Sequence, residues 1–216
     1  MAASTRPATL SQQIFARFLL GGDDLNHRMY AARKNALFKE VHGRVFEIGP
    51  GTGVNLSYYP SGISWTGIEP NPVLHPVLKG KARELNITAD LHTALDEAVR
   101  EDKGRADFVV STMVLCSVSD LAGTLKSVRD LLKSGGRFLF LEHVIDRANP
   151  VRRFVQRAAP YTPWRFFSDG CDPGRDIAGA IAAAGFTQVE CQHYLQNGPG
   201  LIALVNRPHI YGHAVK

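Results

Sequence analysis

Residues 44–55, Arg44-Val-Phe-Glu-Ile-Gly-Pro-Gly-Thr-Gly-Val-Asn55, decide the fold of this chain. A short apolar segment, Val45 to Ile48, runs directly into three glycines at alternate positions, Gly49, Gly51 and Gly53. Glycine has no Cβ, so the backbone can turn sharply there and come into contact with a ligand. The amide N–H groups of such a strand-to-helix turn face the bound molecule. The stretch therefore predicts a β-strand followed by a ligand-binding loop.

Two details of this loop favour S-adenosylmethionine (SAM) over a dinucleotide. The dinucleotide fingerprint is G-x-G-x-x-G, but Val54 occupies the third glycine position. The acid Glu47 precedes the glycines, and a carboxylate suits the positive sulfonium and amino groups of SAM but repels a pyrophosphate. A glycine-rich turn without any ligand is the alternative.

A second acid supports a nucleoside ligand of either kind. Residues 63–68 predict the next strand, and Glu69 follows it, about 20 residues past the glycine loop. At that place a carboxylate can accept hydrogen bonds from both ribose hydroxyls.

Composition indicates one soluble globular domain. The chain has 216 residues, 44% hydrophobic and 21% charged, with a net charge of +5, which does not argue for a nucleic-acid partner. No apolar run is long enough to predict an integral membrane segment, and we expect a cytoplasmic protein. The cysteines, Cys116, Cys171 and Cys191, show no C-x-x-C spacing. That pattern predicts reduced thiols and argues against a disulfide framework or a metal site.

Hydrophobic periodicity predicts an α/β fold in a single domain, 1–216, with a helical lid over 1–43 and a catalytic core over 44–216. Strand patterns occur at 45–48, 63–68, 87–91, 107–111 and 137–141. Helix patterns occur at 9–41, 76–85, 121–132 and 172–184, with a turn or helix at 94–99. We expect a Rossmann-like, mostly parallel sheet closed by an antiparallel C-terminal hairpin of 186–194 and 200–206.

Four separated segments resemble a known family of class I SAM-dependent methyltransferases. They are Thr112-Met-Val-Leu-Cys-Ser-Val118, Leu141-Glu-His-Val144, Ser168-Asp-Gly-Cys171 and the stretch from Arg207 to Lys216. These segments resemble the mammalian methyltransferase-like alkyl thiol methyltransferases, which transfer a methyl group from SAM to the thiol sulfur of small molecules. Those enzymes are membrane-associated through an apolar N-terminal anchor, and no such anchor is visible here. The resemblance implies a small-molecule thiol as partner and SAM as cofactor, with S-adenosylhomocysteine as product.

The resemblance also assigns a cofactor site. It places the glycines at the methionine end, Glu69 at the ribose and Asp96 at the adenine amino group, although Asp96 suits a helix N-terminus equally well. The full predicted set is Glu47, Gly49, Gly51, Gly53, Asn55, Glu69, Pro70, Asn71, Asp96, Glu97, Thr112, Leu115 and Cys116.

A thiol acceptor has to be deprotonated, because the thiolate is the nucleophile. His143 follows the fifth predicted strand and is our first candidate for the base, with Asp169 and His209 in reserve. A structural pair of His143 with Glu142 is the alternative. The predicted catalytic residues are His143 and Asp169, and the predicted substrate residues are Trp164, Phe167, Cys171 and His209.

Residues 146–170 predict a cap inserted after the fifth strand. Its aromatic side chains would form an apolar wall of the substrate pocket, although an amphipathic surface that touches membrane or an ordinary packed cap has the same pattern. These side chains are Phe154, Tyr161, Trp164, Phe166 and Phe167, with Arg152, Arg153, Arg157 and Arg165 between them.

Other functions share parts of this pattern. Methylation of oxygen or nitrogen on a quinone, phenol or lipid-like amine would keep the cofactor residues and change only the pocket. A SAM-binding protein without catalysis would lack a usable base. Val54 and Glu47 disfavour an NAD-dependent oxidoreductase, and the absence of a basic stripe disfavours RNA methylation.

Overall fold

A computed structural model describes residues 7–197 and 205–216. Its strands are β1 Arg44–Ile48, β2 Ser64–Ile68, β3 Thr88–His92, β4 Ala106–Thr112, β5 Leu132–His143, β6 Gln188–Leu195 and β7 Pro208–Val215. Its helices are α1 Leu10–Leu20, α2 Asp23–Phe38, α3 His75–Glu84, α4 Leu95–Asp102, α5 Leu121–Leu131, α6 Pro150–Ala158, α7 Trp164–Phe167 and α8 Ile177–Ala183. None of these helices is long and apolar enough to cross a bilayer.

The seven strands form one sheet in the order β3-β2-β1-β4-β5-β7-β6. Neighbours from β3 to β5 pair in parallel, and β7 pairs antiparallel with both β5 and β6. The predicted Rossmann-like sheet with antiparallel C-terminal strands is therefore confirmed. Since all five parallel strands point the same way, the loops that follow them meet at one edge of the sheet.

Alternate residues of the central strands bury opposite faces of the sheet. Phe46 and Val109 belong to the cluster beneath α5 and α8, whereas their neighbours Val45 and Phe108 belong to the cluster beneath α3. This period of two is the pattern expected for strands covered by helices on both faces.

Two predicted segments near the C-terminus differ from the structure. The antiparallel partner of β6 is Pro208–Val215 rather than 200–206; residues 198–204 lie outside the described residues, and 205–206 have helical geometry. The helix predicted over 172–184 begins only at Ile177. Asp176 caps it by accepting a hydrogen bond from the Gly179 N–H, which is the usual role of aspartate at a helix start.

Candidate active site

A cavity of about 730 Å³ lies at the carboxyl edge of the sheet, beneath α1 and α2. Its volume is in the range of pockets that hold small molecules and cofactors. The loops after β1, β2, β3 and β4 form its floor, and the two N-terminal helices form its roof. The helices predicted as a lid thus lie over the site.

The glycine loop after β1 has the backbone that its sequence predicts. Gly49 and Gly51 line the cavity with φ values of +58° and +60°, a region that favours glycine. A Cβ on Gly49 would lie 2.7 Å from a methyl carbon of Val114. Gly53 also has a positive φ, but it packs against Leu56 and Leu78 and does not line the cavity.

Glu69 presents a buried carboxylate to the cavity at the end of β2. One oxygen accepts a hydrogen bond from the Gly51 N–H at 3.0 Å, and the other accepts from the Asn71 N–H at 2.8 Å. Burial raises the pKa of Glu69 to about 7, although these two amides act to lower it. A carboxylate has about four acceptor positions, so two remain for ribose hydroxyls. Pro70 and Asn71 also line the cavity.

Glu47 lies inside the sheet instead of facing the cavity. Its carboxylate is 0% exposed and accepts hydrogen bonds from the side chains of Asn55, Tyr59 and Trp65. Asn55 also donates to the Thr112 hydroxyl at 2.8 Å, and Thr112 does line the cavity. Glu47 and Asn55 therefore position the loop from within, because three interior donors already occupy the acid.

A different carboxylate, that of Asp23, faces the cavity beside the glycine loop. Asp23 is the first residue of α2 and accepts hydrogen bonds from the Thr52 hydroxyl at 2.6 Å and the Lys81 ammonium at 2.9 Å. These contacts join the lid to the loop. Asp23 was not among the predicted site residues, and its only signal in the sequence is that of an acid in the first turn of a helix.

The predicted adenine acids lie outside the cavity. Asp96 is exposed on α4 and pairs with Arg100 at 3.5 Å, and Glu97 lies 3.7 Å from His92. The backbone that precedes them, at Thr93, Ala94 and Leu95, lines the cavity instead. This placement agrees with the alternative of acids at a helix N-terminus.

Glu142 shapes the loop after β4. It is fully buried and accepts hydrogen bonds from the Ser111 hydroxyl at 2.6 Å and the Val114 N–H at 2.9 Å. A third donor is the Leu115 N–H at 3.2 Å. Met113, which lines the cavity, can therefore keep a φ of +61°. Burial raises the pKa of Glu142 to about 7.

His143 lies behind the cavity wall, in a cluster with two cysteines. Its side chain is 2% exposed, it is not among the lining residues, and its Nε2 lies 3.4 Å from the Sγ of Cys171. Cys116 completes the cluster, and Leu115 is likewise fully buried outside the lining. The imidazole therefore lies in the core and not in the cavity, because β5 directs it inward.

Lid side chains, and none of the cap aromatics, contribute to the apolar part of the cavity wall. None of the cap aromatics, including Trp164 and Phe167, is among the lining residues; Phe167 is 58% and Phe154 73% exposed. The cap packs on the core through Trp164, which contacts the cluster beneath α5 and α8, and through the buried Gln156 amide, which donates to the carbonyl of Val144. The apolar lid residues that line the cavity include Phe15, Phe18, Leu19, Leu25 and Met29.

Asp169 and His209 do reach the cavity. The His209 Nδ1 lies 3.2 Å from the Arg207 carbonyl, so Nδ1 carries the proton and Nε2 accepts a hydrogen bond from the Tyr30 hydroxyl at 3.0 Å. Burial and the nearby His143 lower the pKa of His209 to about 3. Burial raises the pKa of Asp169, which is a half-buried group.

Comparison with known proteins agrees with this geometry. Residues 23–191 match the family described as a methyltransferase domain. The chain is 33% identical to human thiol S-methyltransferase TMT1A over 213 residues, covering 94% of this chain and 86% of that protein. Human thiol S-methyltransferase TMT1B is 31% identical over 202 residues, with 88% and 81% covered.

Two solved structures show the same fold. A methyltransferase of Haloferax volcanii in complex with the Trm112 activator has a TM-score of 0.70 at 18% identity, covering 98% of this chain and 99% of that one. Phosphoethanolamine N-methyltransferase 2 of Haemonchus contortus, in complex with S-adenosylhomocysteine, has a TM-score of 0.65 at 12% identity, covering 98% and 61%. With its glycine loop and Glu69 at the carboxyl edge of such a sheet, the chain belongs to the class I SAM-dependent methyltransferases, and its cofactor is SAM.

Proposed function

We propose that this methyltransferase methylates the thiol sulfur of a small apolar molecule. Asp169 carries the proposal. It lines the cavity, and its carboxylate has no hydrogen-bond partner within residues 7–197 and 205–216, whereas Asp23 and Glu69 are held by neighbouring donors. A free carboxylate beside the apolar side chains of the lid suits a substrate with one acidic proton and an apolar body.

The relatives support the acceptor atom. TMT1A and TMT1B are both named as thiol S-methyltransferases. A thiol with a pKa of about 8.5 needs only a modest base to form the thiolate. Burial raises the pKa of Asp169 toward that of the thiol, which improves a carboxylate as a base near neutral pH.

The chemistry follows from these positions. SAM, when bound, supplies a methyl group on a positive sulfonium with a good leaving group. Asp169 takes the thiol proton; the thiolate then forms the new S–C bond as the sulfonium–methyl bond breaks, leaving S-adenosylhomocysteine and a methyl thioether. The proton on Asp169 returns to solvent. The lid residues Phe15, Leu25 and Met29 exclude water. Alignment of the thiolate with the methyl group in such a site can lower the activation free energy by roughly 7–11 kcal/mol.

Acceptors that share one alkyl chain and differ only in a thiol, hydroxyl or amino group test this proposal. S-adenosylhomocysteine is measured for each, at several pH values, with the wild type and with Asp169→Asn. Asparagine tolerates the φ of +47° at this position, so folding and SAM affinity should be retained. The thiol should be the best acceptor, and Asp169→Asn should slow it by about 10²-fold near neutral pH. The loss should shrink at high pH, where solvent ionises the thiol.

The matched control is Asp24→Asn, because Asp24 is an exposed acid of the lid outside the cavity and its variant should keep full activity. Methylation of the alcohol or amine as fast as the thiol would reject the thiol acceptor. Full activity of Asp169→Asn would reject the assignment of Asp169 as the base. A protein that binds SAM but yields no S-adenosylhomocysteine with any acceptor would be a binding protein without catalysis.

A further inference from the structure

The cluster of Cys116, His143 and Cys171 takes no part in the chemistry above. Its three side chains come from the loop after β4, the end of β5 and the segment that follows α7. Their ligand atoms all lie within 4.8 Å of one another, and the residues are 2%, 2% and 6% exposed. We propose that this cluster binds a thiophilic metal ion, Zn²⁺ or Cu⁺.

The distances suit a common ion. With metal–sulfur bonds of about 2.3 Å, two ligand atoms on one ion lie roughly 4 Å apart. The Cys171 Sγ and His143 Nε2 are already 3.4 Å apart. The Cys116 Sγ lies no more than 4.8 Å from either of these atoms. A rotation of the side chains is therefore sufficient, and the backbone can stay in place.

The backbone around the cluster is held in position without an ion. The Asp172 N–H donates to the Cys116 carbonyl at 2.9 Å, which joins the two cysteine segments directly. The carbonyls of Leu115 and Val118 both accept hydrogen bonds from the Arg175 guanidinium. A site that is pre-formed in this way loses little conformational entropy when it binds an ion.

The ligand types select the metal. Thiolate and imidazole ligands favour Zn²⁺ and Cu⁺ over the harder Mg²⁺ and Ca²⁺. Binding releases the thiol protons to solvent, because the thiolate is the ligand. Structural Zn²⁺ almost always has four ligands, whereas in the part of the chain that the structure describes this group contains three. Zn²⁺ would therefore have to add a water, and Cu⁺ would not.

An ion here would link two loops of the cavity. Ser117, next to Cys116, and Asp169, two residues before Cys171, both line the cavity. Binding should therefore stabilise the fold and hold the Asp169 segment against the loop after β4.

The test adds Zn²⁺, or Cu⁺ under anaerobic conditions, to the purified full chain, removes free ion by gel filtration and measures metal per chain by mass spectrometry. Wild type should retain one ion per chain and melt at a higher temperature with metal. Cys116→Ser and Cys171→Ser should lose the ion. Cys191→Ser is the matched control, because Cys191 lies outside the cluster and its variant should retain the ion. Comparison of the sample with added Zn²⁺ and the sample with added Cu⁺ shows which of the two ions the cluster retains.

Equal retention by Cys116→Ser and wild type would overturn the proposal and indicate a surface site, for which the group of His92, Glu97 and Glu101 is the candidate. If the serine variants do not fold, Co²⁺ is added to the wild type as a spectroscopic substitute for Zn²⁺, alongside Cys191→Ser. A thiolate-to-Co²⁺ charge-transfer band in both proteins supports the site. Its absence, together with no retained Cu⁺, would show that the thiols are only a hydrogen-bonded part of the core.

Discussion

The protonation of Glu69 should set the pH range in which this methyltransferase binds SAM. Burial raises the pKa of its carboxyl from 4.5 to about 7. If ribose hydroxyls donate to the ionised form, SAM should lower this pKa, and below pH 7 it should have to displace a proton in order to bind. If the complex restores the ordinary value, affinity should fall by nearly tenfold per pH unit from about pH 7 downwards, which is about 1.4 kcal/mol per unit.

Calorimetry of SAM binding from about pH 8 to about pH 5.5 measures this slope. Glu69→Gln cannot ionise, so its affinity should vary less with pH and should be weaker at pH 8 by about 1.5–3 kcal/mol, the usual contribution of a hydrogen bond to a charged group. Asp24→Asn should keep the wild-type slope. An affinity of the wild type that does not change with pH, or an identical slope in Glu69→Gln, would refute the assignment of Glu69 to the ribose.

Two further substitutions test the loop and the lid by urea denaturation. Gly49→Ala should lower the free energy of unfolding by about 2–5 kcal/mol, because left-handed backbone strain and overpacking against Val114 add together. Gly62→Ala is the control, because Gly62 has a φ of +83° and an added Cβ would have no described atom within 4 Å. This variant should lose only about 1–2 kcal/mol of unfolding free energy. Equal losses in the two variants would contradict the role of the Val114 contact. Tyr30→Phe removes the donor to His209 and should lose about 0.5–1.5 kcal/mol; an unchanged midpoint would show that this hydrogen bond does not hold the lid.

Local signals in the sequence predicted the part of the site that depends on backbone conformation. Gly49 and Gly51 have the left-handed φ that their spacing indicates, and Glu69 lies at a strand end because the apolar segment before it ends there. Both features are decided within a few residues of chain. The family was predicted from the resemblance of four separated segments, and the mostly parallel sheet from the alternation of strand and helix patterns.

The direction of side chains could not be predicted in the same way. The sequence pattern of an aromatic-rich cap is the same whether its side chains face a pocket or solvent. In the structure Phe154 and Phe167 face solvent. His143 is the last residue of β5 rather than the residue after it, and its imidazole lies in the core with Cys171. The spacing of the cysteines along the chain also did not predict their cluster with His143. Cys116, His143 and Cys171 are far apart in the sequence, and the fold brings them together.

The position of β7 in the sheet limits the order in which the C-terminal strands can join it during folding. β6 precedes β7 in the sequence, but its partner in the sheet is β7, which lies between it and β5. β6 can therefore join the sheet only after β7 or together with it as a hairpin, and long-range pairings such as that of β5 with β7 form slowly. His209, on β7, pairs with His143 on one side and Tyr194 on the other. A folding intermediate with β1 to β5 in place would contain the glycine loop and Glu69 but not His209, so these parts of the cavity wall would form at different stages.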